Sequence, residues 1–189
     1  MSLKDKEKWN KKYSAREPEG RQACDWLLEN AGLLTGEGQA LDLAMGEGRN
    51  ALYLAERGYR VTGVDISEVG VARAQALARE KNLTLNTVVA DLDNYEIKEN
   101  EYDLISCFYF LDRNLFPAIK KGLKPGGLLI YQTFNVDYLK YSGFKKEWVL
   151  ATNELLREFQ DWHVLNYREV DLAEEENAHA ALVARKLKK

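Results

Sequence analysis

Apolar residues along this chain change their period several times. Residues 40–44, 59–64, 85–90, 102–108 and 128–134 are short, nearly continuous apolar runs, the mark of strands buried on both faces. Helical spacing fills the gaps. It covers 50–57 and stops at Gly58, which can take a left-handed C-cap conformation. It resumes after Ser67, a good N-cap, and runs through Val71, Ala74, Leu77 and Ala78 to about Asn82. A third stretch, 115–123, is closed by Lys124-Pro125-Gly126-Gly127. Strands and helices in alternation predict a parallel sheet covered on both sides.

The flanks read differently. Residues 5–34 carry helical spacing, with Trp9 and Tyr13 sharing a face, a break at Pro18 and Gly20, and a resumption through Cys24, Leu27, Leu28 and Ala31. After Phe134 an aromatic-rich segment runs to Trp148, and a helix is predicted over 153–159. Two β-like stretches, 163–170 and 180–187, follow, joined by the acidic turn Glu174-Glu175-Glu176-Asn177. The expected fold is α/β: a doubly wound, mostly parallel seven-stranded sheet ending in an antiparallel hairpin.

Length and composition narrow the class. With 189 residues, 46% hydrophobic and 30% charged, the chain suits one soluble globular domain. A formal charge of −3 gives no global bias toward nucleic acid, which is not an expected partner. The N-terminal excess of Lys4, Lys6, Lys8, Lys11, Lys12 and Arg16 reads as a solvated helix face. Cys24 and Cys107 have no zinc-like spacing, so no metal and no disulfide framework is expected, and a reducing, cytoplasmic setting fits. No apolar run of membrane-spanning length and no signal-peptide h-region is seen.

Ligands of open α/β sheets bind beyond the carboxyl ends of the strands, so strand ends carry the chemistry. The first ends in Gly46-Glu47-Gly48-Arg49-Asn50-Ala51, which alone fits a dinucleotide turn or a plain tight turn. Three acids discriminate. Asp65 ends the second strand, where a carboxylate accepts both ribose hydroxyls, in a nicotinamide cofactor as well. Asp42, just before the turn, would repel a pyrophosphate and welcome a cationic amine. Asp91 ends the third strand, where it can accept from an adenine amine or simply close a turn. An amine, a ribose and an adenine without a phosphate describe S-adenosylmethionine (SAM).

The sequence resembles the class I SAM-dependent methyltransferases. Leu41-Asp42-Leu43-Ala44-Met45-Gly46-Glu47-Gly48 is similar to the family's first motif, with Ala44 where the first glycine usually stands. Val61-Thr62-Gly63-Val64-Asp65-Ile66-Ser67, Val89-Ala90-Asp91-Leu92, Tyr102-Asp103-Leu104-Ile105-Ser106-Cys107 and Leu123-Lys124-Pro125-Gly126-Gly127 resemble the following motifs in order. The stretch Gly46 to Ala55 and the element Trp9-Asn10-Lys11-Lys12-Tyr13 look like the tellurite-resistance-like branch. The resemblance implies cofactor contacts at Asp42, Ala44, Gly46, Gly48, Asn50, Asp65, Ile66, Asp91, Leu92 and Cys107, the last through its carbonyl. Ile66 and Leu92 would pack on the adenine, and Trp9 or Tyr13 would close over the cofactor or anchor the first helix. It divides the chain into a covering segment 1–34, a cofactor core 35–134 and an acceptor side 135–189.

The acceptor is less legible. No Asn-Pro-Pro-Tyr type motif follows the fourth strand, which disfavours amide-nitrogen methylation. His163 and His179 read as structural or exposed, and Arg113 as a surface or helix-start residue. No general base stands out. The aromatic segment from Tyr131 to Trp148 either walls a pocket or packs the C-terminal lobe. The expected acceptor is a small molecule, a chalcogen oxyanion or thiol-like compound by resemblance. The alternatives are an NAD-linked oxidoreductase and a non-catalytic SAM-binding accessory protein. Oligomeric state is not readable.

Overall fold

The structure is a computed structural model that describes residues 3–17 and 22–188. The predicted break at Pro18 and Gly20 lies outside the described residues. The elements are α1 (Leu3–Ser14), α2 (Asp25–Glu29), β1 (Gln39–Leu43), α3 (Arg49–Glu56), β2 (Arg60–Asp65), α4 (Glu68–Glu80), β3 (Leu85–Val89), β4 (Tyr102–Phe108), α5 (Leu115–Gly122), β5 (Leu123–Phe134), α6 (Glu154–Glu158), β6 (His163–Leu172) and β7 (Asn177–Arg185). Ser67 caps α4 by accepting from the Gly70 N–H at 3.1 Å.

The seven strands form one sheet in the order β3-β2-β1-β4-β5-β7-β6. The first five are parallel, and β7 pairs antiparallel with both β5 and β6. Strand order reverses at β1, so a crevice opens at the carboxyl ends of β1 and β4. Each face of the sheet has its own core. On one side Trp26, Leu27, Ala51, Leu54 and Ala74 pack on Leu104, Ile130 and Val183. On the other, Phe116, Ile119, Phe159 and Trp162 pack on Ile105, Leu129 and Leu182. Among the described residues no helix is long and apolar enough to cross a membrane.

Two strand starts differ from expectation by three residues or more. β5 starts at Leu123, inside the predicted helix, because Leu123 already pairs with Tyr102; the predicted turn through Gly127 is a bulge, and pairing resumes at Leu104 with Leu128. β7 starts at Asn177 rather than 180, since Asn177 and Ala178 continue the pairing with β6.

Candidate functional site

The turn after β1 is built from left-handed residues. Ala44, Gly46 and Gly48 have φ of 54°, 58° and 81°. Gly48 is the N-cap of α3, and a Cβ there would lie 2.8 Å from the Ala74 Cβ. Ala44 adopts without a glycine what glycine does freely, at a cost of about 1–2 kcal/mol. Ala44→Gly relieves that strain and pays some unfolded-chain entropy. We expect about 0.5–1 kcal/mol of net stabilisation, read as a higher denaturant midpoint at unchanged slope; a lower midpoint refutes it.

Asp42 sits under this turn, 1% exposed. Its Oδ1 accepts from Ser106 Oγ at 2.7 Å, while Oδ2 has no partner. Burial pushes its carboxyl up to about 7, against the Ser106 hydrogen bond, the nearby Ala51 N–H and the Arg49 charge. Asp65, at the next strand end, bridges the two ends: Oδ2 accepts from the Gly46 N–H and Oδ1 from the Ser67 N–H, both at 2.8 Å. Burial raises its carboxyl too, and the backbone donors oppose the shift. An orphaned buried oxygen beside a glycine turn, with a second carboxylate one strand on, suits a cationic amine and a diol. Buried anionic oxygens at this spacing are unfavourable for a pyrophosphate.

The N-terminal helix lies over the turn. A Cβ on Gly46 would meet the Tyr13 hydroxyl at 2.6 Å, and one on Gly70 would meet the Tyr13 ring at 3.1 Å. Ser67 Oγ donates to Asn10 Oδ1 at 2.6 Å. Glu47, within the turn, pairs with Arg16 and with Arg73, the latter at 2.8 Å. No residue of α1 is buried. Trp9 stacks on Tyr13 with ring centroids 5.7 Å apart.

Residues 40–127 match the family model described as a methyltransferase domain. A probable S-adenosyl-L-methionine-dependent methyltransferase, TehB, of Haemophilus influenzae is 35% identical over 139 residues, 69% of this chain and 48% of the relative. A ubiquinone biosynthesis O-methyltransferase of Hydrogenovibrio crunogenus is 32% identical over 108 residues, 53% of this chain and 44% of the relative. The crystal structure of TehB from Haemophilus influenzae superposes with a TM-score of 0.75 at 27% identity, over 94% of this chain and 67% of that one. The chain belongs to the class I SAM-dependent methyltransferases, and within them it is TehB-like. It spans about half the length of the curated relatives it matches. The family's cofactor, SAM, carries the amine, the diol and the adenine that the strand-end acids suit.

The other predicted residues of this chain divide by what already holds them. Asn50 is buried and committed to α2: its Oδ1 accepts from the Cys24 N–H at 2.9 Å. Asp91 closes its own turn, accepting from the Asp93 N–H at 3.0 Å. Ile66 is 6% exposed beside Asp65, whereas Leu92, 1% exposed, packs in the core on the α5 side. The Cys107 side chain is fully buried in that same core. Arg113 grips the segment 147–154: it pairs with both Glu154 oxygens at 2.6 and 2.9 Å and donates to the Glu147 and Val149 carbonyls.

Three residues escaped the sequence reading. Arg49, the first residue of α3, has no carboxylate partner among the described residues and lies over the Tyr109 ring at 5.6 Å. Its sequence signal was its place in the turn, beside Asn50. His179, read as structural or exposed, is 6% exposed with neither ring nitrogen hydrogen-bonded. Gln132, 4% exposed, leaves one amide oxygen unpaired. A cleft of about 360 Å3 between α2 and β6 is lined by Trp26, Glu29 and Arg168 among others, and by none of the predicted cofactor residues.

Proposed function

We propose that the protein transfers the methyl group of SAM to a small-molecule acceptor, a thiol-like compound or a chalcogen oxyanion. The observation that carries this reading is the unpaired, buried Oδ2 of Asp42 beneath the glycine turn. In this reading Asp42 holds the methionine amine, directly or through one water, and Arg49 holds the methionine carboxylate. Asp65 takes the ribose, Asp91 and the Ile66–Leu92 pair take the adenine, and the backbone of Ala44, Gly46, Gly48, Asn50 and Cys107 lines the rest. Tyr13, with Trp9 behind it, closes the cleft from above. Segment 1–34 covers, 35–134 binds and 135–189 walls the acceptor, one unit in a reducing cytoplasm that keeps Cys24 and Cys107 as thiols.

Bound SAM supplies an activated methyl group with its leaving group already in place. The protein's share is alignment and exclusion of water. The zwitterion clamp of Asp42 and Arg49 fixes one end, and the Asp65 carboxylate fixes the other. Tyr13 stays protonated, because burial and the Asp65 and Glu47 charges drive its hydroxyl far above its ordinary value, so it presents no competing nucleophile.

Calorimetric titration with S-adenosylhomocysteine and with NADH tests the cofactor half. We expect a saturable isotherm for the first and none for the second; the reverse overturns the reading in favour of an oxidoreductase. Radiolabelled SAM offered to thiols, phenols, selenite and tellurite tests the acceptor half. Cofactor binding without label transfer to any small molecule would identify an accessory protein instead.

A further inference from the structure

This inference rests on the methyltransferase reading; of its two acceptor classes it favours the thiol-like one over the oxyanion, and it extends that class to aromatic hydroxyls. Side chains alternate along a strand, so the sheet register says which residues share a face. Asp42 pairs with Ser106, Ser106 with Ile130, and Ile130 with Val183, a row across β1, β4, β5 and β7. Two and four residues further toward the carboxyl end of β5, on that same face, stand Gln132 and Phe134; Gln132 pairs with Ala181 and Phe134 with His179. Gln132 and His179 are therefore diagonal neighbours across the small Ala181, at the distance where side chains meet.

Both are more than nine-tenths buried, and both are short of partners. One end of the Gln132 amide meets the Tyr109 hydroxyl at 3.2 Å; the other end has nothing. Neither His179 nitrogen has anything. Each such group costs about 1–3 kcal/mol, and folded proteins pair nearly all of them. Three orphaned atoms at the carboxyl end of β5, with Gln132 level with Phe108, the last residue of the strand that carries Ser106, and His179 two residues beyond, have no role in holding the fold.

An aromatic ledge leads to them. The Tyr109 and Phe134 rings are 5.3 Å apart, and Phe134 stacks on Tyr138 at 4.0 Å. Phe144 and Trp148 continue it to the surface, 41% and 50% exposed. Tyr109 roofs the Gln132 end with a left-handed φ of 55°, a strained hinge for a bulky residue. The charges facing His179 are Arg168 from β6, Glu29 from α2 and Glu175 from the β6–β7 turn. Arg168 is paired with Glu29 and stacked on Trp26, so it has no charge to spare for an anion. Burial and Arg168 favour the neutral imidazole, and the two glutamates oppose them.

We propose that Gln132 and His179 form the acceptor subsite, that the acceptor is a small aromatic molecule presenting a neutral O–H or S–H group, and that His179 is its general base. The ring of the acceptor lies along the ledge and displaces the Tyr109 hydroxyl from Gln132. The acceptor's X–H bond breaks and its proton passes to an imidazole nitrogen of His179. The freed electron pair on X forms the bond to the methyl carbon. The carbon–sulfur pair leaves with sulfur as S-adenosylhomocysteine, and the imidazolium returns its proton to solvent.

The chain has two histidines, so 13C-histidine NMR resolves His163 from His179 once His163→Gln assigns one of them. In protein loaded with S-adenosylhomocysteine, phenylmethanethiol or catechol is expected to shift the His179 resonance and leave His163 in place. With SAM, His179→Asn is expected to lose about 10²–10⁴-fold in kcat/KM on acceptors protonated at the assay pH. On 4-nitrothiophenol, already ionised, it loses little, and its S-adenosylhomocysteine affinity stays that of the wild type. No shift at His179 with either probe, or an equal loss on ionised and protonated acceptors, overturns the assignment. Should His179→Asn not fold, the wild-type NMR decides alone. Failure of the wild type to bind S-adenosylhomocysteine overturns the methyltransferase reading instead, a separate result.

Discussion

Asp42→Asn is expected to make the unliganded protein more stable and the cofactor complex much weaker. The two signs have one cause. Burial raises the folded Asp42 carboxyl from 3.8 to about 7. Between these values the folded chain holds a proton that the unfolded chain has released. Stability from this group is therefore full below about pH 3.8, declines as pH rises, and is lost by about pH 7. At about 1.4 kcal/mol per unit the loss reaches the order of 4 kcal/mol. Asparagine keeps the shape and the Ser106 contact and removes the charge. At pH 8 the variant is expected to melt higher than the wild type, by about 2–4 °C per kcal/mol; at pH 4 the two converge.

Cofactor binding moves the other way. An ammonium placed against Oδ2 repays the burial of the carboxylate, and losing one partner of such a pair costs about 2–5 kcal/mol. S-adenosylhomocysteine affinity is expected to fall by a factor between about 30 and several thousand. Wild-type affinity is expected to tighten as pH rises from about 5.5 to 7.5, where Asp42 ionises and the ligand amine is still charged. The Asn variant is expected to be flat over that range. Unchanged affinity together with an unchanged melting profile would remove Asp42 from the site.

Strands β1, β2, β4 and β5 were legible because parallel strands buried on both faces write themselves as apolar runs; β3, expected to be buried likewise, is an edge strand with no buried residue. Asp42, Asp65 and Asp91 were legible as acids at strand ends, and the sheet sets the first two around one turn. Long-range pairing hid the rest. Lys124-Pro125-Gly126-Gly127 has every local sign of a turn before a strand, yet Leu123 belongs to the strand through Tyr102, a partner invisible to local pattern. His179 stands among alanines, so no alternation of apolar and polar marks which face it takes; only β5 on one side and β6 on the other bury it. Arg49 was passed over for its neighbour Asn50, whose side chain the fold spends on Cys24. The slot for Tyr13 needs Gly46 and Gly70 to converge, which only the packed helices arrange.

That slot sets the second large effect. Tyr13→Ala is expected to weaken S-adenosylhomocysteine binding by about 10–100-fold, about 1.4–2.8 kcal/mol, mainly through faster dissociation. The melting temperature is expected to stay near that of the wild type, since Tyr13 belongs to neither core and α1 buries no residue. Tyr13→Phe keeps the ring against Gly70 and is expected to bind almost as the wild type does. Polar ties also hold α1 and the residues just after it: Asn10 to Ser67, Lys6 to Glu68 and Arg16 to Glu47. The Lys6–Glu68 pair is exposed and screened by salt, so added salt is expected to raise the wild-type dissociation rate. Stopped-flow dissociation and calorimetry separate the outcomes. A Tyr13→Ala variant that releases the ligand at the wild-type rate would make α1 a surface brace. Faster release with unchanged stability makes it the cover of the cofactor cleft, held shut by one ring and a few polar contacts.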